Sequence, residues 1–347
     1  MNAFPDWLFQ NSFHTLGEDF YKPFAPRVLE EPKLIASNAD ALSLLGLKPT
    51  DLNNPNLFNL LCGRQTLPTM RPLAQDYAGH QFGKFNPLLG DGRVLMLGEI
   101  TTQQGNWELS LKGIGRTPLA QNSVDADGFS GISESLHEFD ISQQLAKLGL
   151  PTMHCLAVIA DKQPAYRNHQ FEDSAILSRI APTHIRFGTF ELHYFRRDFD
   201  ALQQLCDYVI KHYYPECQNT ELSKPQQYAA FLSTVIKRTA RLIAHWQATG
   251  FTHGTMNTDN QSIIGITLDL SHAQFNTSFD PSFTTNPADK KHRYAFGNQP
   301  IIGLWNCNVL ARALSPLIEP HAIRQALLEY EPTYLTYYQK IKLTCPH

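Results

Sequence analysis

The sequence predicts an α+β fold of two lobes, an antiparallel sheet carrying one main helix and then a mostly helical half. Three observations predict it. Between residues 94 and 112 two segments alternate apolar and polar side chains around a glycine-bearing turn, the pattern of a β-hairpin. Beyond about residue 183 the apolar residues recur instead at helical spacing, as in Phe231, Leu232, Val235, Ile236, Ile243 and Trp246. Between these stretches lies a single helical pattern that begins near Ser130 or Ser133 and stops at Gly149 and Pro151.

In order along the chain, residues 1–70 mix short helical patterns with proline-bearing loops (Pro23, Pro26, Pro32, Pro49, Pro55) and read as an extension packed on the body. Residues 71–182 make the first lobe. Asp76–Gly83 is aromatic and glycine-rich, Val94–Ile100 is a buried strand, and Thr102–Asn106 is its turn. In the partner strand Trp107, Leu109 and Leu111 alternate with Glu108, Ser110 and Lys112, so Lys112 falls on the face opposite the apolar one. Ile132, Leu136 and Phe139 form the stripe of the helix that also carries Glu138, and residues 152–160 and 174–181 are further strands. Residues 183–347 make the helical lobe. Its longest helix ends at Gly250 and delivers the chain to a loop at His253–Asn260, and the last helices run over 304–317 and 322–338.

Composition narrows the function classes. With 347 residues, 42% hydrophobic and 18% charged, the chain has the make-up of an ordinary globular enzyme. A net charge of −3 gives no electrostatic case for nucleic acid or an anionic membrane. No apolar run approaches the ~20 residues of a membrane span, and the N-terminus lacks a secretory pattern. The 6 cysteines are scattered without a C-x-x-C pair, which suits reduced thiols in a cytosol rather than a disulfide scaffold or zinc site. The 14 histidines show no H-E-x-x-H spacing and read as surface and core residues.

The chemistry concentrates in a few places. Asp259, Asn260 and Asp269 flank the short apolar run Ser262–Leu268, and a tight hairpin there brings Asp269 back beside Asn260. Two carboxylates and a carboxamide suit a hard cation such as Mg²⁺, with positions left for water and phosphate; Asp-Asn is also common turn chemistry. Gly90-Asp-Gly-Arg93 is either an ordinary hairpin turn or a loop whose backbone approaches phosphate, with Arg93 adding a bidentate contact. Lys112 is either a solvated strand residue or, held by Glu138, a phosphate-neutralising one. Arg179 and Arg186, flanking Ile180–Ile185, are either structural ion pairs or a grip on a triphosphate. A glycine loop, a strand lysine, a helix glutamate and a distal Asn/Asp pair, in this order, are the parts of a protein-kinase-like nucleotide site.

Taken together, the segments resemble the SelO (selenoprotein O, YdiU) family, pseudokinase-fold protein adenylyltransferases that move AMP from ATP to protein hydroxyls. The matching blocks are Tyr77-Ala-Gly-His-Gln-Phe-Gly83, Leu89-Gly-Asp-Gly-Arg93, Leu111-Lys-Gly-Ile-Gly-Arg-Thr-Pro118, Arg179–Glu191, His253-Gly-Thr-Met-Asn-Thr-Asp-Asn260 and Arg293-Tyr-Ala-Phe-Gly-Asn-Gln-Pro300, with Trp305-Asn306. The resemblance implies that Gly90, Gly92, Arg93, Lys112, Asp127, Gly128, Arg179 and Arg186 contact ATP and that Glu138 pairs Lys112. It implies Asp259 as general base and Asn260 and Asp269 as ligands of Mg²⁺, with Mn²⁺ as the other candidate ion. It further implies a flipped nucleotide that presents its α-phosphorus to a Ser, Thr or Tyr hydroxyl of a protein substrate, in a bacterial cytoplasm, with no nucleic acid or membrane partner.

The chain departs from the family pattern in places. A short insertion falls between Pro118 and Asp127. Where the family usually reads Asp-Gly-Arg-Ala-Val-Leu-Arg-Ser-Ser-Ile-Arg-Glu-Phe, this chain has Asp127-Gly-Phe-Ser-Gly-Ile-Ser-Glu-Ser-Leu-His-Glu-Phe139, so three arginine positions become Phe129, Ser133 and His137. Asp269-Leu-Ser-His272 replaces the usual Asp-Tyr-Gly-Pro, and the redox-active C-terminal motif of some members has no counterpart near Cys345. Two other readings therefore stand beside adenylyl transfer: a weak or inactive nucleotide-binding pseudoenzyme with a regulatory role, and a kinase moving the γ-phosphoryl group, which the lack of an H-R-D aspartate opposes.

Overall fold

The alternation and helical periodicity read from the sequence resolve into twelve strands and nine α-helices among the described residues, which in this computed structural model are 7–27, 29–120, 127–167 and 170–344. Cys345 and most of the insertion after Pro118 lie outside them. The chain opens with β1 (Tyr21–Pro23), β2 (Lys33–Ser37), α1 (Ala39–Leu44), α2 (Pro55–Leu61) and β3 (Leu73–Gln75). Two short strands, β4 (Gly79–Gln81) and β5 (Lys84–Asn86), precede the long β6 (Val94–Thr102) and β7 (Gly105–Lys112). β8 (Ser130–Gly131) leads into α3 (Ile132–Lys147), followed by β9 (His154–Arg167) and β10 (Gln170–Ala181). The remainder has helices as its long elements, with β11 (Phe251–Thr252), β12 (Gln274–Phe275) and a largely irregular stretch over residues 253–298. Its helices are α4 (Phe187–Arg196), α5 (Phe199–Tyr213), α6 (Lys224–Thr249), α7 (Gln299–Ala313), α8 (Pro320–Leu328) and α9 (Tyr330–Thr344). The chain divides into two units, one of residues 1–76 and 88–184, the other of residues 77–87 and 185–347.

The first unit is an antiparallel sheet in the order β1-β3-β6-β7-β10-β9-β2, with β8 paired to β10. β1 and β2 come from the N-terminal extension, which thus supplies both ends of the sheet. Trp107, Leu109 and Leu111 of β7 enter a core with Leu95 and Leu97 of β6, Ile159, Ile176, and Leu42, Leu57, Leu60 and Leu61 from α1 and α2. The alternate residues Glu108, Ser110 and Lys112 face the other way, as the period of two requires, yet they too are buried. α3 packs on β9 and β10, and its buried residues are Ser135, Glu138, Phe139, Ile141, Ser142 and Leu145, whereas Ile132 and Leu136 are only half-buried. The stripe read from the sequence is displaced because a helix that meets the polar face of a sheet buries polar partners.

In the second unit α6 is the spine, packed against α7, α8 and α9. Ser223 and Gln226 form a capping box at its start, and Gly250 stops it in the left-handed region at φ 74°. The helix read over 322–338 is two, α8 and α9, with the break at Glu329. Cys62, Cys155, Cys206, Cys217 and Cys307 are free and buried. No helix among the described residues is long and apolar enough to cross a membrane. The expected α+β class, an antiparallel sheet with one main helix and a mostly helical remainder, is what the chain forms.

Candidate functional site

In the first unit the candidate residues gather at one end of the central hairpin. Gly90 turns the chain at φ 91°. Asp91 then pins the loop, its carboxylate accepting the Gln75 N–H at 3.1 Å and its carbonyl accepting the Thr117 hydroxyl at 2.7 Å. The Gly92 carbonyl accepts the Thr117 N–H at 3.2 Å. Lys112 ends β7 between two neighbours, opposite Val94 of β6 and Leu177 of β10, so its backbone is fixed on both sides. Its ammonium pairs with Glu138 and lies 3.1 Å from Glu134.

Glu138 is 0% exposed. Arg179, on β10 opposite Ser110, brings Nη1 to 3.9 Å from Oε2 of Glu138, while its own buried Nε makes no hydrogen bond. Arg93 forks onto Glu134 through Nη1 at 3.0 Å and Nη2 at 2.7 Å. Burial alone would raise the Glu134 carboxyl, but Lys112 and Arg93 together hold it well below the usual carboxylate range.

Asp127 and Gly128 join the same end. Asp127 accepts the Phe129 N–H at 2.9 Å, and the Gly128 carbonyl accepts the Gly115 N–H at 2.9 Å just beyond β7. Gly128 sits at φ 77°, and a Cβ there would fall 2.1 Å from the carbonyl carbon of Gly115, so no other residue fits.

In the second unit the loop and hairpin after β11 carry the other candidates. Gln261 bridges Thr267 antiparallel, with Gly265 in the turn at φ 75°. Asp259, in the 3₁₀ turn Thr258–Asn260 before the bridge, and Asp269 after it come close enough for their charges to act on each other. Two anchors hold the returning strand: His253 Nε2 meets the Leu268 carbonyl at 2.8 Å, and Trp246 Nε1 donates to Thr267 Oγ1 at 3.1 Å. The Asn260 amide donates to the Thr255 carbonyl at 3.0 Å. Asp269 takes a left-handed φ of 57° and accepts the Ser271 N–H at 3.3 Å.

Asp259 is 7% exposed, and its Oδ1 makes no hydrogen bond. Burial raises its carboxyl to about 7; Arg186 opposes the rise and Asp269 adds to it. Arg186, just before α4, donates from Nη1 to the Asp259 carbonyl at 3.1 Å and lies 4.2 Å above the Tyr77 ring.

The glycine-rich segment Tyr77–Gly83 is moulded onto this loop. A Cβ on Gly79 would sit 3.0 Å from the Asp259 carboxylate, the His80 N–H donates to Thr258 Oγ1 at 2.7 Å, and the Ala78 N–H donates to the Gly188 carbonyl at 3.1 Å. His80 also pairs with the buried Glu191.

The structure thus gathers Arg93, Lys112, Glu138 and Arg179 into one ion network, with the Gly90–Gly92 and Asp127–Gly128 loops beside it, and groups Arg186, Asp259, Asn260 and Asp269 on their own unit. Sequence reasoning missed Glu134, which stands at i−4 to Glu138 and shares its helical face, and the His80–Glu191 pair that ties two of the motif blocks together. Among the described residues no group of three or more His, Cys, Asp or Glu is arranged to hold a metal. The Asp259–Asn260–Asp269 set has two carboxylates and an amide, and its buried, unpartnered Asp259 oxygen within the electrostatic reach of a second carboxylate fits a divalent cation whose other ligands are water and phosphate.

A family model described as "Protein adenylyltransferase SelO" matches residues 4–344. The chain is similar to a "Protein nucleotidyltransferase YdiU" of Thiobacillus denitrificans, 43% identical over 327 residues covering 94% of this chain and 65% of that protein. The protein of the same name from Azotobacter vinelandii is 42% identical over 335 residues, 96% of this chain and 67% of its own. That of Pseudomonas fluorescens is 41% identical over 339 residues, 97% and 68%. The chain therefore spans about two thirds of the length of these curated relatives. A Toxoplasma gondii rhoptry antigen kinase domain aligns over 79% of this chain and 84% of its own at 12% identity and a TM-score of 0.33, a likeness too slight to carry an argument.

Proposed function

This chain belongs to the SelO family, and from that premise we propose that it is a protein adenylyltransferase, moving AMP from ATP to Ser, Thr or Tyr hydroxyls of proteins and releasing pyrophosphate. The observation that carries the reading is Asp259: a buried carboxylate with an unpartnered oxygen, set across a tight hairpin from Asp269. Its buried oxygen, without a hydrogen bond of its own, can take a proton from an attacking hydroxyl, the role we assign it.

Asn260 and Asp269 are the residues that would hold Mg²⁺, or Mn²⁺ in its place. A divalent cation, when bound, supplies positive charge to the phosphates as negative charge develops on them. The chain's own residues do the rest. Gly90 and Gly92 let the backbone approach the nucleotide, as do Asp127 and Gly128. Arg93, Arg179 and Arg186 grip phosphate oxygens, and Lys112, steadied by Glu138, neutralises the leaving pyrophosphate. We assign residues 71–182, apart from 77–87, as the nucleotide lobe, 183–347 together with 77–87 as the lobe of the metal and the base, and 1–70 as an extension packed on the first unit. The partners proposed are ATP and hydroxyl-bearing proteins of a bacterial cytoplasm; a net charge of −3 favours neither nucleic acid nor an anionic membrane.

The ion pairs of Glu134 with Arg93 and Lys112 favour a second reading, a nucleotide-binding pseudoenzyme. One experiment separates the two. The protein is incubated with Mg²⁺ and ATP labelled at the α- or the γ-phosphate, with itself and a cell lysate as acceptors and a folded Asp269→Ala protein as control. Adenylyl transfer predicts α-label only, abolished by the substitution. γ-label only makes it a kinase, and ATP binding with no transfer makes it a pseudoenzyme.

A further inference from the structure

Arg93 and Lys112 emerge side by side, since the Arg93 carbonyl accepts the Gly113 N–H at 2.9 Å and Val94 lies opposite Lys112. Both cations meet the same carboxylate. Glu134, in the first turn of α3, receives two hydrogen bonds from the Arg93 fork, at 3.0 and 2.7 Å, and its Oε1 lies 3.1 Å from the Lys112 ammonium. This is the pattern a phosphate makes with an arginine and a lysine.

The two glutamates of the network differ in where they sit. Glu138 is fully buried beneath Lys112, and removing its charge strands an ammonium. The Glu134 side chain is 19% exposed and that of Arg93 33%, so this pair lies at the solvent edge, where a carboxylate rotates out about its own side-chain bonds and water takes it up.

We propose that Glu134 is an internal occupant of the phosphate subsite, a carboxylate that the nucleotide displaces, and that it thereby sets the affinity for ATP. The inference rests on the reading of Arg93 and Lys112 as phosphate ligands. Glu134 lowers the affinity for anything that binds these cations through phosphate and leaves binding of the bare nucleoside untouched.

The test is calorimetric titration of ATP with Mg²⁺, and separately of adenosine, into the wild type, Glu134→Gln and Glu134→Ser, each checked for folding by thermal melting. Both substitutions remove the charge, so a folding defect confined to one leaves the other to decide. ATP is expected to bind both variants about tenfold tighter than the wild type, with adenosine unchanged. ATP binding that is unchanged or weaker overturns the role of Glu134, and so does an equal gain for adenosine, because the effect is then not on phosphate. If ATP binds none of the three folded proteins, the nucleotide reading of Arg93 and Lys112 falls, and the inference with it.

Discussion

Replacing Glu138 by Gln removes one negative charge from a fully buried side chain and keeps its shape. The Lys112 ammonium is then left with Glu134 at 3.1 Å, and Arg179 loses the carboxylate that lay 3.9 Å from its Nη1. Breaking a buried ion pair by neutralising one partner costs about 3–5 kcal/mol. Glu134 still compensates part of the ammonium, so the expected cost is about 2–3 kcal/mol. Urea unfolding followed by tryptophan fluorescence, to which Trp107 on β7 contributes, reads it as a lower midpoint at unchanged slope. Adding Lys112→Met should restore part of the loss, giving a coupling of about 1 kcal/mol or more between the two positions. A cost under about 0.5 kcal/mol, or strict additivity of the two substitutions, would refute the reading of Lys112 and Glu138 as a buried, coupled ion pair.

Two further outcomes follow from the same geometry. Gly128→Ala places a Cβ 2.1 Å from the Gly115 carbonyl carbon and should cost about 2 kcal/mol or more. Gly149→Ala, equally left-handed at φ 70° but with nothing within 4 Å, should cost only about 1 kcal/mol, and equal melting temperatures for the two would sink the steric argument. Acid should also weaken the first unit through Glu134. Its folded pKa lies below the ordinary 4.5, so the unfolded chain takes up the proton first. The stabilisation is complete above the unfolded value and is lost as pH falls through the folded one. Glu134→Gln should flatten the fall in urea midpoint between about pH 5 and 3, and identical pH profiles would contradict the ion network.

How far the sequence discloses the fold depends on what each element packs against. β7 is legible because Trp107, Leu109 and Leu111 meet an apolar core, and their alternation marks the strand. α3 is legible as a helix but only partly in its orientation, because the face it buries mixes Phe139, Ile141 and Leu145 with Ser135, Glu138 and Ser142, and Glu138 is drawn in by Lys112. β1 and β2, of 3 and 5 residues, are held by their neighbours in the sheet and show too few side chains to announce a period. In the candidate site, Asp259, Asn260 and Asp269 stand out because a short hairpin joins them. Glu134 does not: two glutamates at i and i+4 repel on an isolated helix and read as a solvated face. The cations that make them compatible arrive from the turn just before β6 and from the end of β7. The fit of Tyr77–Gly83 against the Thr258–Asp259 loop is hidden for another reason, since His80 and Thr258 stand 178 positions apart.

That last segment has a consequence for how the protein can be divided. Residues 77–87 belong to the second unit, though the chain returns to the first unit at residue 88 and leaves it again at residue 185, so the polypeptide changes unit three times. A fragment cut at the obvious place, residues 185–347, would keep every candidate acid and amide of its unit. It would lose the strip of backbone that meets Thr258, Gly188 and Asp259. During synthesis that strip leaves the ribosome well before the loop it shapes, so it must wait, unsatisfied, for more than a hundred residues to follow. Genetic dissection of this chain therefore calls for grafting residues 77–87 onto the second unit, with the gap in the first closed by a short linker, rather than for a single cut.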